Sequence, residues 1–595
     1  MFIDNIDQIA DPAEWATVTD LLSGVAKNHG WRAVVTGGIG NEEWKSNLPP
    51  AVGNAGISSL TVDPISDEET EVLSEGNQAR AVILGSGHPA RGIARNLFYL
   101  SRMIELGVGR PEAAAGIATE MDLARLWWRY GGGRTEDDGR FARLKVLRAM
   151  GAQVLSHPGR VAFRVDDLTS SIVAELLRFD SLREDTKGAT VAFRHDVLRD
   201  WVVGFLIHED GELLTNLPMD KPLPPGLARG LEIAARLALE TDTTGERWST
   251  LLATVERDGS HGSWLRPVLL ALPRAEQALA LFINLSTILL EGDGRRLSEI
   301  IQLMLAVESE PLAKLMARLR PAIPIPATGL GDFVVPKGAG WPWLVLWLVA
   351  NTGALPTARI PDVAKVFQAW LISTQHQSYP FNAQIVECLF DWLAVIEDAM
   401  VPRTYRDIKD VTPSLNIPHL SDVRDEIRMT AFSFAHLSQT AANIYLSALD
   451  PNVVRHHEMQ SILKAPASLV RAAPAAMANF ALGALIEEED PDDMYRSHRG
   501  RFGPFGVHDN LLSPASPGQG PFFEMLEQAP PEGLRLIRGL VEHATQWRRE
   551  MYIRDRRPFP RISIPFPSGT KSFEGDWSVY HWSRSIAPSA LRHLR

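Results

Sequence analysis

The sequence has almost no cysteine, because Cys388 is the single one in 595 residues. One thiol cannot build an internal disulfide framework, so we expect a protein of a reducing compartment. Cys388 lies in the apolar helical stretch QIVECLFDWL. Cysteines in such stretches usually behave as small buried hydrophobic side chains, and we therefore predict an inert thiol and not a nucleophile.

Long hydrophobic runs are also missing. The longest strongly apolar stretch is WPWLVLWLVA at 341–350, and it is roughly half as long as a membrane-spanning helix. The first residues carry acids and Gln8 where a signal peptide has a basic region followed by an apolar one. We predict a buried core helix at 341–350, no membrane partner and a cytoplasmic protein.

An excess of positive charge is absent too. The chain has 60 Lys and Arg against 72 Asp and Glu, which gives a net charge of -12 at pH 7. This excludes a globally basic nucleic-acid-binding protein, although one basic patch can still lie within the chain. The hydrophobic content of 45% and the charged content of 22% are typical of globular proteins. A chain of this length exceeds a single core, so we expect three or more domains.

The chain begins with alternating strand and helix patterns. MFID predicts a strand, and DPAEWATVTDLLSGVAKNHG predicts an amphipathic helix with Asp11 as N-cap and Pro12 at its first position. WRAVVTGG predicts a second strand and ISSLTVDPIS a third extended stretch. Strands separated by helices favour a parallel α/β layer, which we assign to residues 1–65.

The rest of the chain is predicted to be mainly helical. Ser66 is expected to cap a helix with acids in its first turn, and apolar residues at helical spacing continue through 66–135. In 136–215, helices alternate with the β-rich pieces RVAFRV and ATVAFR, as in a winged-helix domain. After the proline-rich linker LPMDKPLPPG, 225–490 predicts irregular helical repeats of the HEAT or armadillo kind. Residues 491–595 predict a loop-rich region with a helix and a β-hairpin.

The opening strand carries the sharpest chemical signal. In MFIDNID, Asp4 follows the strand at a place where a carboxylate can hold Mg²⁺ through water. Asp7 lies where a second carboxylate can orient or activate an attacking water. The pattern alone is common, because an acid after a strand is often only a helix cap. The features that follow along the chain give it more weight.

The order of these features resembles the second half of a STAND-type P-loop NTPase, the NACHT/NB-ARC-like class of regulated ATPases, over about residues 1–215. MFIDNID is similar to the Walker B strand, WRAVVTGG to the sensor-1 strand with Thr36 at its tip, and SSLTVDPISDEETEVL to the entry into the helical lid. ARNLFYLSRMIEL resembles the lid helix. FRHDVLRDW resembles the winged-helix His-Asp motif, with His195 followed by Asp196.

The resemblance implies both a fold and a set of roles. The fold is mainly α: part of a P-loop NTPase sheet, a helical lid, a winged helix, a HEAT- or armadillo-like solenoid and a small β-containing C-terminal region. Asp4 would hold Mg²⁺ and support ATP hydrolysis with Asp7, Thr36 would sense the γ-phosphate, and His195 would contact the β-phosphate of ADP. Bacterial signalling or antiviral defence, a protein ligand on the repeats and a homo-oligomer of the full-length protein are also implied.

The sequence departs from the family pattern in three ways. Gly37 and Gly38 follow Thr36, where the family usually has an arginine or a polar residue, and Leu97 replaces the proline of the lid helix. The Walker A motif GxxxxGK[ST] does not occur, and the nearest stretch, SGTKS at 568–572, lacks its spacing. Because phosphoryl transfer depends on positioned phosphate-binding groups, we expect little or no ATPase activity from this chain alone.

The missing phosphate loop has a simple explanation, namely that Met1 is an internal methionine of a longer natural protein. The chain would then be N-terminally truncated, a split subunit or the product of a shortened gene model. In the family's sheet, the phosphate-loop strand lies between the sensor-1 strand and the next one. The predicted strand at 57–63 would therefore lack its usual neighbour.

Two further segments and one alternative function remain open. HHE at 456–458 lacks the spacing of a zinc site, so a solvated helix face is expected there. The stretch QWRREMYIRDRRPFPR at 546–561 has six arginines among aromatic residues. Nucleic acid is a possible partner for it, but arginines at helix ends are more often solvated or paired with acids.

The alternative function is a non-enzymatic helical-repeat scaffold or interaction sensor with a relic NTPase start.

Overall fold

The structure is a computed structural model of the chain. It is mainly helical with a few small sheets, which confirms the predicted mainly α fold class. It describes these residues: 1–3, 6, 12–28, 30–36, 48–54, 64–107, 117–158, 160–319, 333–375, 377, 379–400, 415, 417–451, 462–463, 467–486, 507 and 522–586. They form two compact units. The first unit is Met1–Glu291, Gln302–Glu310 and Lys337–Leu344, and the second is Gly292–Ile301, Pro311–Pro336 and Val345–Arg595.

The first unit begins with the predicted parallel layer. Its elements are β1 (Phe2–Ile3), α1 (Pro12–Lys27), β2 (Val34–Val35) and α2 (Pro50–Asn54). β1 pairs in parallel with β2, with Phe2 opposite Val34 and Ile3 opposite Val35. α1 starts at its proline, as predicted, because the first position of a helix needs no backbone N–H donor. The predicted third strand at 57–63 lies outside the described residues.

Short helices follow, as the apolar spacing predicted. They are α3 (Asp67–Ser74), α4 (Gln78–Leu84), α5 (Arg91–Ala94), α6 (Leu97–Glu105) and α7 (Glu120–Arg129). Ser66 caps α3 in a capping box with Glu69, since the Ser66 Oγ accepts from the Glu69 N–H and the Glu69 carboxylate accepts from the Ser66 N–H. Thr119 and Asp122 form the same arrangement at the start of α7.

Three helices and a three-stranded antiparallel sheet come next. They are α8 (Arg140–Ser156), β3 (Phe163–Arg164), α9 (Ser170–Arg178), β4 (Leu182–Thr186), β5 (Thr190–Phe193) and α10 (Asp196–Glu209). The strand order is β3-β5-β4. The sequence pattern predicted β3 and β5 but not β4, whose residues LREDT are almost entirely polar and exposed. Pairing with the more apolar β5 makes this segment a strand.

The remaining helices of the first unit follow α10 along the chain. They are α11 (Pro225–Thr241), α12 (Glu246–Val255), α13 (Leu265–Arg274) and α14 (Ala278–Asn284), followed by α15 (Ser286–Val307), which also contributes residues to the second unit. Of these helices, α11 packs closely on α10, α12 and α13 pack on α11, and α14 packs on α13. Glycines bring α10 and α11 together. A β-carbon on Gly230 would lie 2.5 Å from Val203 Cγ1, and one on Gly204 would overlap the side chain of Ile233.

After α15 the chain is a succession of helices that ends in a hairpin. In chain order the elements after α15 are β6 (Ser309–Pro311), α16 (Leu312–Leu319), β7 (Val334–Pro336), α17 (Trp341–Ala350), α18 (Ile360–Thr374), α19 (Pro380–Met400), α20 (Leu420–Phe434), α21 (Gln439–Ala448), α22 (Ala467–Ala472), α23 (Pro474–Leu485), α24 (Phe522–Gln528), α25 (Pro530–Arg554), β8 (Arg561–Phe566), β9 (Gly569–Glu574) and α26 (Trp577–Ile586). β6 and α17 contribute residues to both units, and the other elements belong to the second. From α18 onward, helices pack mainly on those one or two places along the chain. The predicted hairpin is confirmed as the antiparallel pair β8–β9.

The predicted core helix at 341–350 is confirmed as α17, and Trp341, Leu344 and Trp347 are buried in it. Within the part of the chain that the structure describes, no helix is long and apolar enough to cross a bilayer.

Candidate functional site

The predicted catalytic acids, Asp4 and Asp7, lie outside the described residues. Thr36, the predicted γ-phosphate sensor, is described and half-buried at the end of β2. Its N–H donates to the Ile3 carbonyl at 2.9 Å, and its carbonyl accepts from the Ile6 N–H at 3.0 Å. The structure therefore places Thr36 beside the carboxyl end of β1.

The parallel layer is thinly covered by the described residues. Val34 in β2 is 58% exposed and Trp31 before it is 67% exposed. With Met1, Leu21 and other residues of α1, Trp31 borders a shallow groove of about 390 Å³. Strands of α/β proteins normally have apolar neighbours on both faces, and the described part of the chain supplies few of them here.

His195, the predicted phosphate-contacting residue, is the N-cap of α10. Its Nδ1 accepts a hydrogen bond from the Val197 N–H at 3.2 Å. A ring nitrogen that accepts is unprotonated, so in the neutral imidazole the proton is on Nε2, which makes Nε2 the donor. The side chain of Asp196 is engaged differently, by an ion pair with Arg199 at 3.4 Å.

His195 lies against the predicted lid helix. Its ring stacks on Phe98 of α6 with 4.3 Å between centroids and 30° between planes. Asn96 caps α6 by accepting from the Phe98 N–H at 2.9 Å. Leu97 is therefore the first residue of α6, a position where the family's proline would lose no hydrogen bond. Leucine at this position is compatible with the start of the helix, which Asn96 caps.

A second residue of α6 strengthens this contact. Arg102 is buried and donates to the carbonyl oxygens of Phe179 and Asp180, at 3.3 and 2.5 Å, in the turn that precedes β4. Its guanidinium also lies 5.9 Å from the centre of the Phe98 ring. The histidine and the turn before β4 are thus both attached to α6.

Aromatic side chains fill the space behind His195. Trp201 of α10 is fully buried next to Phe98, Tyr99 and Trp127. Trp127 Nε1 donates to Ser181 Oγ at 3.2 Å. Trp201 Nε1 donates to a carboxylate oxygen of Glu120 at 3.2 Å. Glu120 is also part of a network of charged side chains in this unit.

Six charged side chains form a network below these rings, which we call the buried network because Glu120, Glu232 and Arg236 are buried in it, while Arg229 and Arg274 are about one third exposed. Its members are Glu120 at the start of α7, Arg229, Glu232 and Arg236 in α11, Arg274 at the end of α13 and Glu308 after α15. Arg229 binds both Glu120 and Glu232. Arg274 contacts Glu232 at 2.6 Å and also binds Glu308. Each carboxylate of this buried network is matched by at least one guanidinium.

The electrostatics of the site follow from burial and these partners. Burial alone would raise the pKa of Glu232, but Arg229, Arg274 and Arg236 outweigh it and hold the pKa below the ordinary value. Burial and the charge of Glu120 raise the pKa of Tyr99 far above its usual range. Burial raises the pKa of Asp200 in α10 to about 6, despite the neighbouring guanidinium of Arg199. Asp200 is therefore a buried acid that titrates close to neutral pH.

Sequence reasoning missed the buried network although a signal for it exists. Arg229, Glu232, Arg236 and Glu240 recur at spacings of three and four residues in a helix that is otherwise mostly apolar. Alternating charges on one helical face are usually solvated. In a helix with so few other polar residues, they indicate instead that one face meets buried partners of opposite charge.

The second unit has a cleft of about 750 Å³ between α17 and α19. Glu387, Asp391 and Trp392 of α19 line it, and Glu387 also accepts from Ser438 Oγ at 3.0 Å. Burial and the charge of Glu387 raise the pKa of Asp391. Cys388 borders the cleft but is buried, and burial raises the pKa of its thiol to well above the usual range. This agrees with the predicted inert thiol.

The residues fit an ATP or ADP site only in part. The start of a 14-residue helix, with a histidine donor at its cap, suits one phosphate group. The sequence contains no phosphate loop to hold the others. Among the described residues, no group of three or more His, Cys, Asp or Glu could hold a metal ion. Asp4 and the HHE segment at 456–458 are outside them.

The described contacts of Thr36 and of His195 share no residue, so the structure does not show these two as parts of one site. A comparison with models of known protein families finds none that matches this chain. A comparison with curated proteins finds no match either.

Proposed function

We propose that the chain is part of a regulatory STAND-type P-loop NTPase, in which a nucleotide-dependent switch responds to a ligand sensed by helical repeats. In this proposal residues 1–65 are the second half of the NTPase core, 66–135 the helical lid and 136–215 the winged helix. Residues 225–490 are the sensor. The biological role would be bacterial signalling or antiviral defence.

One observation carries the proposal: His195 caps α10 and stacks on Phe98 of α6. The three helices and three strands from α8 to α10 are the elements that a winged helix needs. A phosphate bound to His195 Nε2 would lie next to the ring that attaches α6. Loss of that phosphate would therefore change the contact between His195 and the proposed lid helix α6.

The proposed chemistry is that of the family. Asp4 would hold Mg²⁺, Asp7 would assist the attacking water and Thr36 would sense the γ-phosphate in the intact protein. Because the phosphate loop is missing from this sequence, we propose that this chain alone does not hydrolyse ATP at a useful rate. An upstream reading frame that encodes a strand followed by GxxxxGK[ST] would support truncation, and a stop codon with no such motif would contradict it.

The proposed ligand of the sensor is a protein, and activation would proceed through a homo-oligomer. Successive helices from α18 onward pack on near neighbours along the chain, as in helical repeats. The same observation favours the second candidate, a non-enzymatic scaffold or interaction sensor. Nucleotide binding separates the two candidates.

ADP binding to the whole chain tests the proposal. His195→Asn keeps an N-cap, because asparagine caps helices well, but removes the Nε2 donor. His261→Asn is a matched control, since His261 is also an exposed N-cap that accepts from a backbone N–H at 3.2 Å. We expect calorimetry to show ADP binding that His195→Asn weakens by about tenfold, the value of one charged hydrogen bond, and that His261→Asn leaves unchanged. No binding of ADP, or equal loss in both variants, would favour the scaffold.

A further inference from the structure

The end of the described chain concentrates positive charge in an acidic protein. Residues 548–576 contain seven Lys and Arg against four Asp and Glu, whereas the whole chain has a net charge of -12. They form the last turns of α25, a short connection and the hairpin β8–β9. The hairpin and the connection are mostly exposed.

Two of the seven cations hold the hairpin in place. Arg548 of α25 binds Asp576 at 2.8 Å, and Arg549 binds Glu574 at 2.7 Å. Burial raises the pKa of Asp576, but its bonds to Ser578 and Arg548 prevail and keep the pKa below the ordinary value. Both acids at the base of the hairpin are therefore neutralised by arginines of the helix.

The other five cations are Arg554, Arg556, Arg557, Arg561 and Lys571, and all of them are exposed. Within the described residues, none of the five forms an ion pair. Arg556 also has a φ of 55°, a left-handed backbone conformation that is unfavourable for residues other than glycine. Arginines at a helix end are usually solvated or paired with acids. Here Glu574 and Asp576 already pair with Arg549 and Arg548, so these two acids leave the five charges available to a polyanion.

Two exposed aromatic rings of the hairpin lie on the same face as Lys571, whereas Arg561 lies on the opposite face, across from Glu574. Phe566 and Phe573, on one face of the hairpin, are 42% and 44% exposed and contact each other edge to face with 6.4 Å between centroids. The Lys571 ammonium is 5.7 Å from the centre of the Phe566 ring. Exposed rings beside cations are what proteins use to stack unpaired bases while they neutralise phosphates.

The opposite face of the hairpin argues against a membrane partner. It carries the hydroxyls of Ser563, Thr570 and Ser572, and Ser563 and Ser572 are hydrogen-bonded to each other at 2.8 Å. The hairpin is a two-stranded sheet, so each strand also has an outer edge of backbone N–H and C=O groups. Hydrocarbon does not tolerate open sheet edges. Phosphate oxygens of nucleic acid accept hydrogen bonds from hydroxyls and from backbone N–H groups.

We propose that the end of α25 and the hairpin β8–β9 form a binding surface for single-stranded nucleic acid. Arg554, Arg556, Arg557, Arg561 and Lys571 contact the phosphates, and Phe566 and Phe573 stack on bases. Paired bases expose only their edges in a duplex, so the two rings give single strands the advantage. This surface is separate from the proposed nucleotide switch and does not depend on it.

Binding of a fluorescent oligothymidylate of about 12 nucleotides to the whole chain, measured by anisotropy at several salt concentrations, tests the proposal. Five phosphate contacts predict a slope of log K against log salt of about -3.5. A duplex of the same length is expected to bind more weakly. Equal or tighter binding of the duplex would overturn the proposal, and so would no binding of the single strand.

Two variants separate the roles of charge and ring. Arg554→Gln with Arg557→Gln and Arg561→Gln is expected to reduce the slope by about 2 and to lower affinity more than tenfold at low salt. Lys145→Gln with Arg183→Gln and Lys187→Gln removes the same charge from exposed positions elsewhere, and it should leave the slope unchanged. Equal effects of the two triple variants would show general charge attraction and overturn the assigned surface.

Phe566→Ala is expected to weaken single-strand binding about fivefold or more without changing the slope, because stacking involves no counterion. Circular dichroism should confirm that this exposed substitution leaves the fold intact. Unchanged affinity would contradict base stacking. Vesicles of phosphatidylserine serve as the competing surface: binding to vesicles that Phe566→Ala abolishes while the oligonucleotide affinity stays the same would overturn the proposal in favour of a membrane.

Discussion

The first unit contains two regions that are held together in different ways. In residues 1–36, each strand of the parallel layer is two residues long, and the side chains of Trp31 and Val34 are mostly exposed. In the described residues of 97–291 and 302–310, helices meet through glycines, stacked rings and the buried network. The predicted sensor Thr36 belongs to the first region, and the predicted regulatory His195 belongs to the second.

The difference concerns where each region finds its partners. The second of these regions pairs Glu120, Glu232 and Arg236 with its own residues, so these contacts are set by this chain. In residues 1–36, large apolar side chains are exposed. Burying them against another surface would stabilise this region further. Substitutions in the two regions should therefore differ in effect by several kcal/mol, and the following predictions test that difference.

The largest loss is expected from Glu232→Ala. It removes the buried carboxylate that Arg229 and Arg274 share and leaves each of these partly exposed guanidinium groups with one other carboxylate. The loss should therefore lie near the lower end of the roughly 3–5 kcal/mol that breaking a buried pair costs. Hydrogen exchange of the α11 amides measures this loss locally, which suits a protein of several domains. Asp166→Ala, at an exposed ion pair with Arg164, should change stability by less than about 0.5 kcal/mol. A small effect of Glu232→Ala would show that the network is hydrated in solution.

Asp200→Asn should reveal a pH dependence of similar size. The pKa of Asp200 is about 6 in the folded protein and about 3.9 in an unfolded chain. Between these values the folded state binds more protons, so the wild type loses stability as pH rises, by up to about 1.4 kcal/mol per pH unit. Asparagine does not titrate. The stability of the variant relative to wild type should thus rise from pH 4 to pH 6 and then level off, and a flat difference would contradict the burial of this acid.

Gly204→Ala should have a smaller effect, of about 1–3 kcal/mol, since its methyl group would force α10 away from Ile233. Gly24→Ala in α1 is the matched control, because no described atom lies within 4 Å of the added carbon. Alanine favours helix over glycine by about 1 kcal/mol, so the control should stabilise. Thermal unfolding followed by circular dichroism measures both, and a stabilised Gly204→Ala would disprove the close approach of α10 and α11.

The smallest effect is expected for Val34→Ala in β2, less than about 0.5 kcal/mol, because this side chain is already mostly in water. Hydrogen exchange of the amides of α1 and β2 is the measurement. A loss of 2 kcal/mol or more would mean that another copy or another chain covers this strand in solution, and the contrast between the two regions would then disappear.

Local features could be predicted from the sequence because their causes lie within a few residues. The Ser66 capping box, the start of α1 at Pro12, the buried helix at 341–350 and the C-terminal hairpin all follow from such short patterns. The parallel pairing of β1 with β2 also followed, from the alternation of strands with a helix.

Features that depend on distant residues could not be predicted. β4 has a polar sequence and becomes a strand through its neighbour β5. Glu120 and Arg229 are 109 positions apart, and no periodicity in the chain relates them. The stack of His195 on Phe98 joins α10 to α6 in the same way. For the candidate site, the sequence indicated which residues to examine, and only the fold showed which of them touch.

The sharing of Glu120 has a kinetic consequence. This one carboxylate interacts with Trp201 of α10 and with Arg229 and Arg236 of α11, while its own backbone belongs to α7. Moving α7 away would strip several partners from a buried charge in the same event, with no intermediate stage at which part of the loss is recovered. The helices should therefore exchange infrequently, and in an all-or-none manner, between two packed arrangements. Any rearrangement of these three helices should accordingly appear as slow exchange between two discrete states, with no continuous drift between them.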